Sequence, residues 1–204
     1  MSTFDKEYFF ILQPDDERLP YLEPDMDTAA KWYSSEVLPE GEKPLIFFDG
    51  FSEEKKENNI IPISPPPDVL FDAYDLLVCS RIADKLRTFE IPNLAIQPAI
   101  FIDQKDEWHE NYWFLTFTEE FDCWDREASA YDPEPIDTEP PLYSIYTYAL
   151  NESLLQKTPL SKRRLFKMGW SLDPYIVAHK SIVSLFCVKG VDIVPISDYG
   201  VSYP

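Results

Sequence analysis

The chain has little glycine, histidine or cysteine. Five glycines are spread through 204 residues. No G-x-G-x-x-G run, Walker loop or G-x-S-x-G elbow occurs, which argues against a backbone cradle for phosphate and leaves no nucleophile-elbow motif. His109 and His179 are the only histidines, too few for a multi-histidine metal centre. Cys79, Cys123 and Cys187 form no C-x-x-C pair and are odd in number, which argues against a disulfide framework or a structural zinc site. They read as reduced, mostly buried thiols in a reducing compartment. No apolar run reaches the length of a membrane span. Met1–Glu7 has no basic stretch leading into an apolar core, so no signal peptide is expected and the location is expected to be cytoplasmic. Basic residues are also scarce: 18 Lys and Arg face 37 Asp and Glu, a formal net charge of -19. Such a field repels nucleic acid and anionic lipid and speeds encounter with basic partners.

A chain of 204 residues with 45% hydrophobic residues is long enough to bury a core without a metal or a disulfide. Strands are expected at Tyr8–Leu12, Leu45–Phe48, Ile60–Ile63, Leu76–Cys79, Leu94–Ile102, Trp113–Phe117, Tyr143–Leu150 and Arg164–Met168. Asp27 is expected to cap a short helix over Thr28–Tyr33, Asn151 to cap a short helical turn through Leu154 and Leu155, and Glu53–Asn59 to be a charged loop. Three consecutive prolines at 65–67 stiffen the chain. They divide an irregular N-terminal part, 1–64, packed on the main domain, from that domain, 65–204.

Within the main domain a strand–helix–strand pattern occurs twice. Leu76–Cys79 is followed by Ser80 as a helix cap and by Ile82, Leu86 and Phe89 at helical spacing, with Asn93 as the stop. Leu94, Ile96, Ile100 and Ile102 then share one strand face, with Pro98 marking an edge or a bulge. Tyr175–Ala178, then Ile182, Leu185 and Phe186, then Gly190 and Val191–Ile196 with Pro195, repeat the plan weakly. The expected class is α+β: a mixed, mainly antiparallel sheet with a few short helices.

Charge is not evenly distributed. From Asp103 to Pro140 there are thirteen carboxylates against Lys105 and Arg126. From Pro141 onward there are four carboxylates against seven Lys or Arg. The acidic stretch also carries Trp108, Tyr112, Trp113, Phe117, Phe121, Trp124 and Tyr131. Rings interleaved with carboxylates suit a docking face for a basic protein; the competing reading is a solvated loop whose rings point inward. Asp132–Pro141, rich in proline and carboxylates, is expected to be an exposed loop. His109 lies among carboxylates that could hold a hard cation, but no EF-hand spacing is present. Cys123 is flanked by Asp122 and Asp125, which work against a thiolate. The Lys162-Arg163-Arg164 cluster is expected to pair with the protein's own acidic surface. No catalytic residue, metal or cofactor is therefore assigned.

Three stretches carry a resemblance. They are Leu77–Ile82; Asn111–Leu115 followed by Phe121-Asp122-Cys123-Trp124-Asp125-Arg126-Glu127-Ala128-Ser129; and Arg164–Gly169 followed by Tyr175–Lys180. Together they resemble immunity-protein family eleven of bacterial polymorphic toxin systems, over roughly residues 65 to 196. The resemblance implies a non-enzymatic protein that binds and neutralises a cognate toxin domain. Trp108, Glu110, Asp122, Trp124, Asp125 and Glu127 are the expected contact residues, and an acidic face implies a basic toxin. The alternatives are a regulatory or structural subunit, or a hydrolase with a carboxylate or Cys123 centre.

Overall fold

The computed structural model describes residues 3–50 and 52–200. Its strands are β1 (Tyr8–Leu12), β2 (Leu22–Pro24), β3 (Leu45–Asp49), β4 (Val69–Asp72), β5 (Asp75–Cys79), β6 (Leu94–Ile102), β7 (Trp108–Phe117), β8 (Glu120–Phe121), β9 (Ala130–Tyr131), β10 (Ile145–Thr147), β11 (Leu165–Met168), β12 (Ile176–His179) and β13 (Asp192–Pro195). Short helices are α1 (Met26–Ala29), α2 (Ser52–Glu57), α3 (Ser80–Arg87), α4 (Glu152–Lys157) and α5 (Leu160–Arg163). The class is α+β, as expected. One sheet runs β13-β1-β12-β11-β8, a second runs β2-β3-β6-β7-β5-β4, and β9 pairs with β10 apart from both. Among the described residues no helix is long and apolar enough to cross a membrane.

The five-stranded sheet is buried on both faces, which explains its sequence. Successive strand residues point to opposite faces, so a strand covered on both sides reads as a continuous apolar run. Tyr8, Phe10 and Leu12 of β1 point to one core with Phe166, Met168, Val177 and Val194. Ile11 points the other way, with Leu165, Ile176 and Ala178, into the core shared with the six-stranded sheet. Lys167 also points to the shared side, where its ammonium meets Asp75 of β5 at 2.8 Å. This ion pair joins the two sheets. The first 64 residues, read from sequence as an irregular part, supply β1 as an inner strand of one sheet and β2 and β3 to the other.

The internal repeat has a topological counterpart. β5 and β6 flank β7 and are antiparallel to it. β12 and β13 flank β1 in the same way. Each unit begins with an antiparallel hairpin, β4–β5 or β11–β12. The strand between the two arms follows the first unit and precedes the second. The second helix is a correction: only a 3-10 turn forms over Val183–Leu185. Its stretch from Lys180 to Gly190 is shorter than the Ser80–Asn93 stretch of the first copy.

Other local expectations shift. Ser80 is not the cap of α3; Cys79 occupies that position without a side-chain bond. The Ser80 hydroxyl instead bonds the Asn111 carbonyl and accepts from the Trp113 indole. α1 is capped by Asp25, whose carboxylate accepts from Thr28 N at 2.7 Å, and not by Asp27. The charged run at 53–59 is mostly helix, because Lys55 is drawn inward to Asp49 (3.0 Å) and to the Leu19 carbonyl (2.6 Å). Ile60–Ile63 forms no strand; Pro62 removes a donor there and Ile61 is exposed. Pro98 does mark a break. β3 pairs with β6 only from Ala99 onward, and the β6–β7 register shifts between Ala99 and Phe101. The inward residues are consequently Gln97, Ala99 and Phe101, with Ile102 also buried, while Leu94, Ile96 and Ile100 are half-buried. Gln97 tolerates burial because its amide accepts from Leu38 N and donates to Thr116.

Candidate partner-binding groove

After β8 the chain turns a corner that the Asp-Arg-Glu-x-Ser stretch builds. Asp125 N donates to the Ala149 carbonyl at 2.8 Å, and Asn151 N donates to the Cys123 carbonyl at 2.8 Å. These bonds fasten residues 123–125 to the strand leading into α4. The Asp125 carboxylate accepts from Glu127 N (2.8 Å) and Ala128 N (3.2 Å), closing the turn. The Ser129 hydroxyl accepts from Ala149 N at 3.0 Å. Asn151 caps α4 by accepting from Leu154 N at 3.0 Å, as its sequence position predicts.

Arg126 is spent within the corner. It donates to the Asp122 carboxylate and, at 2.9 Å, to the Trp124 carbonyl. Its guanidinium lies 3.8 Å from the centre of the Trp124 ring, a stacked cation–π contact. The resulting groove, about 570 Å³, is lined by Asp122, Trp124, Asp125, Arg126, Glu127 and the first residues of α4 with Asn151. Four carboxylates, including Glu152, line it against one guanidinium that is already paired.

The expected contact residues divide. Asp122, Asp125 and Glu127 share the groove, with Glu127 the most open of the three. Trp124 borders it but is corrected as an anchor: the side chain is 1% exposed. Its ring packs edge-on against Tyr131 (4.9 Å) and Tyr143 (5.7 Å), which also meet each other at 5.5 Å. The inward pull of these tyrosines, one from β9 and one from the segment just before β10, decides the orientation. Trp108 and Glu110 lie elsewhere, at the start of β7 in the other sheet. Both are exposed, Trp108 at 58%.

That α4 would form a wall of the groove could not be read locally. Asn151 was legible as a cap, but its approach to Cys123 rests on the Trp124–Leu150 bridge, a tertiary pairing without a local pattern. The basic cluster is another correction. Arg163 donates to the Tyr8 hydroxyl and the Thr158 carbonyl, and Arg164 lies over the Phe89 ring at 4.8 Å. Aromatic faces, a tyrosine hydroxyl and a backbone oxygen take the charges of Arg163 and Arg164.

Cys123 is fully buried, with Sγ 4.0 Å from the Met168 sulfur. Burial, aided by Asp122, pushes its thiol well above the usual range, so the buried sulfur stays protonated and unreactive. On the β6–β7 turn, the ligand atoms of Asp103, Glu107 and His109 lie within 4.8 Å of one another. The turn itself uses Asp103, whose carboxylate accepts from the backbone of Lys105 and Glu107 and contacts His109 at 3.1 Å.

Gly169 holds the groove's floor to the sheet. A Cβ there would lie 2.8 Å from Asp122 N and 3.0 Å from the Phe121 carbonyl carbon, and Gly169 N already bonds the Phe121 carbonyl at 3.0 Å. Backbone atoms cannot swing aside as a side chain can. Gly169→Ala should therefore force β8 from β11 and cost about 1–3 kcal/mol, the usual range for overpacking. Urea unfolding of the two proteins measures this; equal midpoints would show that the corner yields freely.

A family model described as immunity protein family, Imm11, matches residues 48–184. The match spans most of the chain, from within β3 to the 3-10 turn before β13, and contains the whole groove. The chain belongs to the Imm11 immunity protein family. No curated protein matches it.

Proposed function

We propose that this protein neutralises a cognate toxin domain by binding it in the cytoplasm, without catalysis, and that the groove at the Asp122–Glu127 corner is part of the contact surface. Membership of an immunity family is the observation that carries the reading. The groove's chemistry supports its location: four carboxylates with one internally paired arginine complement a basic toxin surface. Trp108 is the second proposed contact, as an exposed indole beside exposed Glu107 and Glu110. The chain's excess negative charge argues against nucleic acid as the partner. The Cys123 hydrolase alternative lacks an accessible nucleophile.

The test is protection. Cells producing the toxin domain encoded beside this gene should survive when the protein is co-produced. Replacing Glu127 and Glu152 together by Lys reverses charge at two exposed groove positions and leaves the Asp122–Arg126 pair alone. That variant should bind the toxin about tenfold or more weakly, chiefly through slower association, and the deficit should shrink at high salt. Trp108→Ala should cost at least about 2 kcal/mol if the indole is a central anchor. Death of the cells despite co-production would sink the function, and unchanged affinity in both variants would sink the site.

A further inference from the structure

A second cavity opens between the two sheets, and its chemistry differs from the groove's. It measures about 620 Å³ and is bordered by Tyr74, Tyr146, Tyr175 and Tyr199, by apolar side chains of β1 and β4, and by Asp173. Among the described residues, Asp173 is the only charged one of the lining. Its carboxylate accepts from the Tyr74 hydroxyl, and among the described residues it has no ion-pair partner. Burial and Asp173 push the Tyr74 hydroxyl up to about 12, and burial raises Tyr175 and Tyr199 also. The hydroxyls are therefore neutral at physiological pH.

The rings are held in place by one another. Tyr74 meets Tyr175 edge-on at 5.3 Å, Tyr175 meets Tyr199 at 5.6 Å, and both Tyr175 and Tyr199 pack on Phe10. The Tyr199 hydroxyl donates to that of Tyr175 at 3.2 Å. Tyr146, at the mouth, is 59% exposed. A preorganised aromatic wall with one carboxylate that lacks an ion-pair partner among the described residues is suited to a cation that can stack. Arginine fits better than lysine, because its planar guanidinium stacks on rings, is weakly hydrated and can bond a carboxylate in parallel.

We infer that this tyrosine-lined cleft receives an arginine side chain of the bound toxin, stacked against the rings and paired with Asp173. The inference rests on the toxin-binding reading for the source of the arginine, and on the cleft alone for its chemistry.

The probe is N-acetyl-arginine methylamide, titrated into the full chain and followed by NMR of the tyrosine rings. N-acetyl-citrulline methylamide, nearly the same shape without the charge, is the control. The arginine compound should shift Tyr74, Tyr175 and Tyr199 resonances and saturate in the millimolar range, while citrulline should not. Asp173→Asn, whose side chain can still accept from Tyr74, should weaken the arginine titration about tenfold or more. Tyr146→Ser, at the exposed mouth, should weaken it less. Equal titration by citrulline, shifts confined to the Glu127 groove, or no loss in Asp173→Asn would overturn the inference. Self-association abolished by Asp173→Asn would assign the cleft to a second copy and also overturn it. The same Asp173→Asn protein is then bound to the toxin domain encoded beside the gene. A tenfold loss there supports the toxin as the source, and unchanged affinity refutes it. Absence of toxin binding by the unaltered protein would instead refute the immunity reading, a result the small-molecule titration does not depend on.

Discussion

Trp124→Ala should lower unfolding stability by about 3–5 kcal/mol, the range for emptying a buried large aromatic site. The indole is almost wholly enclosed, it carries the Arg126 guanidinium on one face, and Tyr131 and Tyr143 close on it edgewise. Removing it leaves a cavity, frees Arg126 from its stacking surface and loosens the bridge to Leu150. Trp124→Phe should cost much less. Among the described residues the Trp124 Nε1 has no hydrogen-bond partner, so phenylalanine gives up area but no bond, and removes a buried donor that is costly to leave unmade. Denaturant unfolding of the three proteins separates the cases. Near-equal stability of the alanine variant, together with lost toxin affinity, would return Trp124 to the contact surface. The opposite pattern, large destabilisation with affinity retained in the phenylalanine variant, makes it a determinant of the groove's shape.

The expectations that succeeded and failed differ in what they depend on. Tyr8–Leu12 and Leu45–Phe48 were legible as strands because apolar content and turn residues act locally. Asn151 was legible because a cap bonds three residues away. The Asp122–Ser129 stretch was recognisable by its residues, but whether Trp124 points outward or inward depends on Tyr143, nineteen residues on, and no alternation pattern reports that. Lys55 shows the same limit from the other side. In a run of charges it reads as solvated, yet Asp49 and the Leu19 carbonyl draw it into the interior. The repeated strand–helix–strand units were visible as a weak echo of residue types. That each straddles an antiparallel strand, one from near the start of the chain and one from its middle, was not visible, since β1 and β7 carry no mark of the partners they separate. The acidic groove and the tyrosine cleft are likewise made by segments distant in sequence.

Lys167→Met should cost about 3–5 kcal/mol near neutral pH, the range for breaking a buried pair by removing one partner. Lys167 sits on β11 and Asp75 on β5, both buried, and their contact at 2.8 Å crosses the interface between the sheets. Burial already raises the Asp75 carboxyl above its usual value, and Lys167 works against that rise. Asp72, half-buried, is raised by burial as well, while the Tyr33 hydroxyl and Lys167 pull it down. Raised carboxyl groups favour the folded state fully only below their unfolded values, and that contribution is lost as pH climbs through the folded ones. Without the ammonium the folded values climb further, so the methionine variant should suffer most above the carboxylate range. It should recover relative to the unaltered protein as pH falls and Asp75 is neutralised. Replacing Asp75 by Leu in the same chain should restore much of the loss at neutral pH, since an apolar pair of similar size can substitute for a buried ion pair. Unfolding curves from pH 4 to 8 for the unaltered, single and double variants carry the test. A deficit independent of pH, or a double variant no better than the single, would mean that the lysine matters for its packed methylenes and not for its charge.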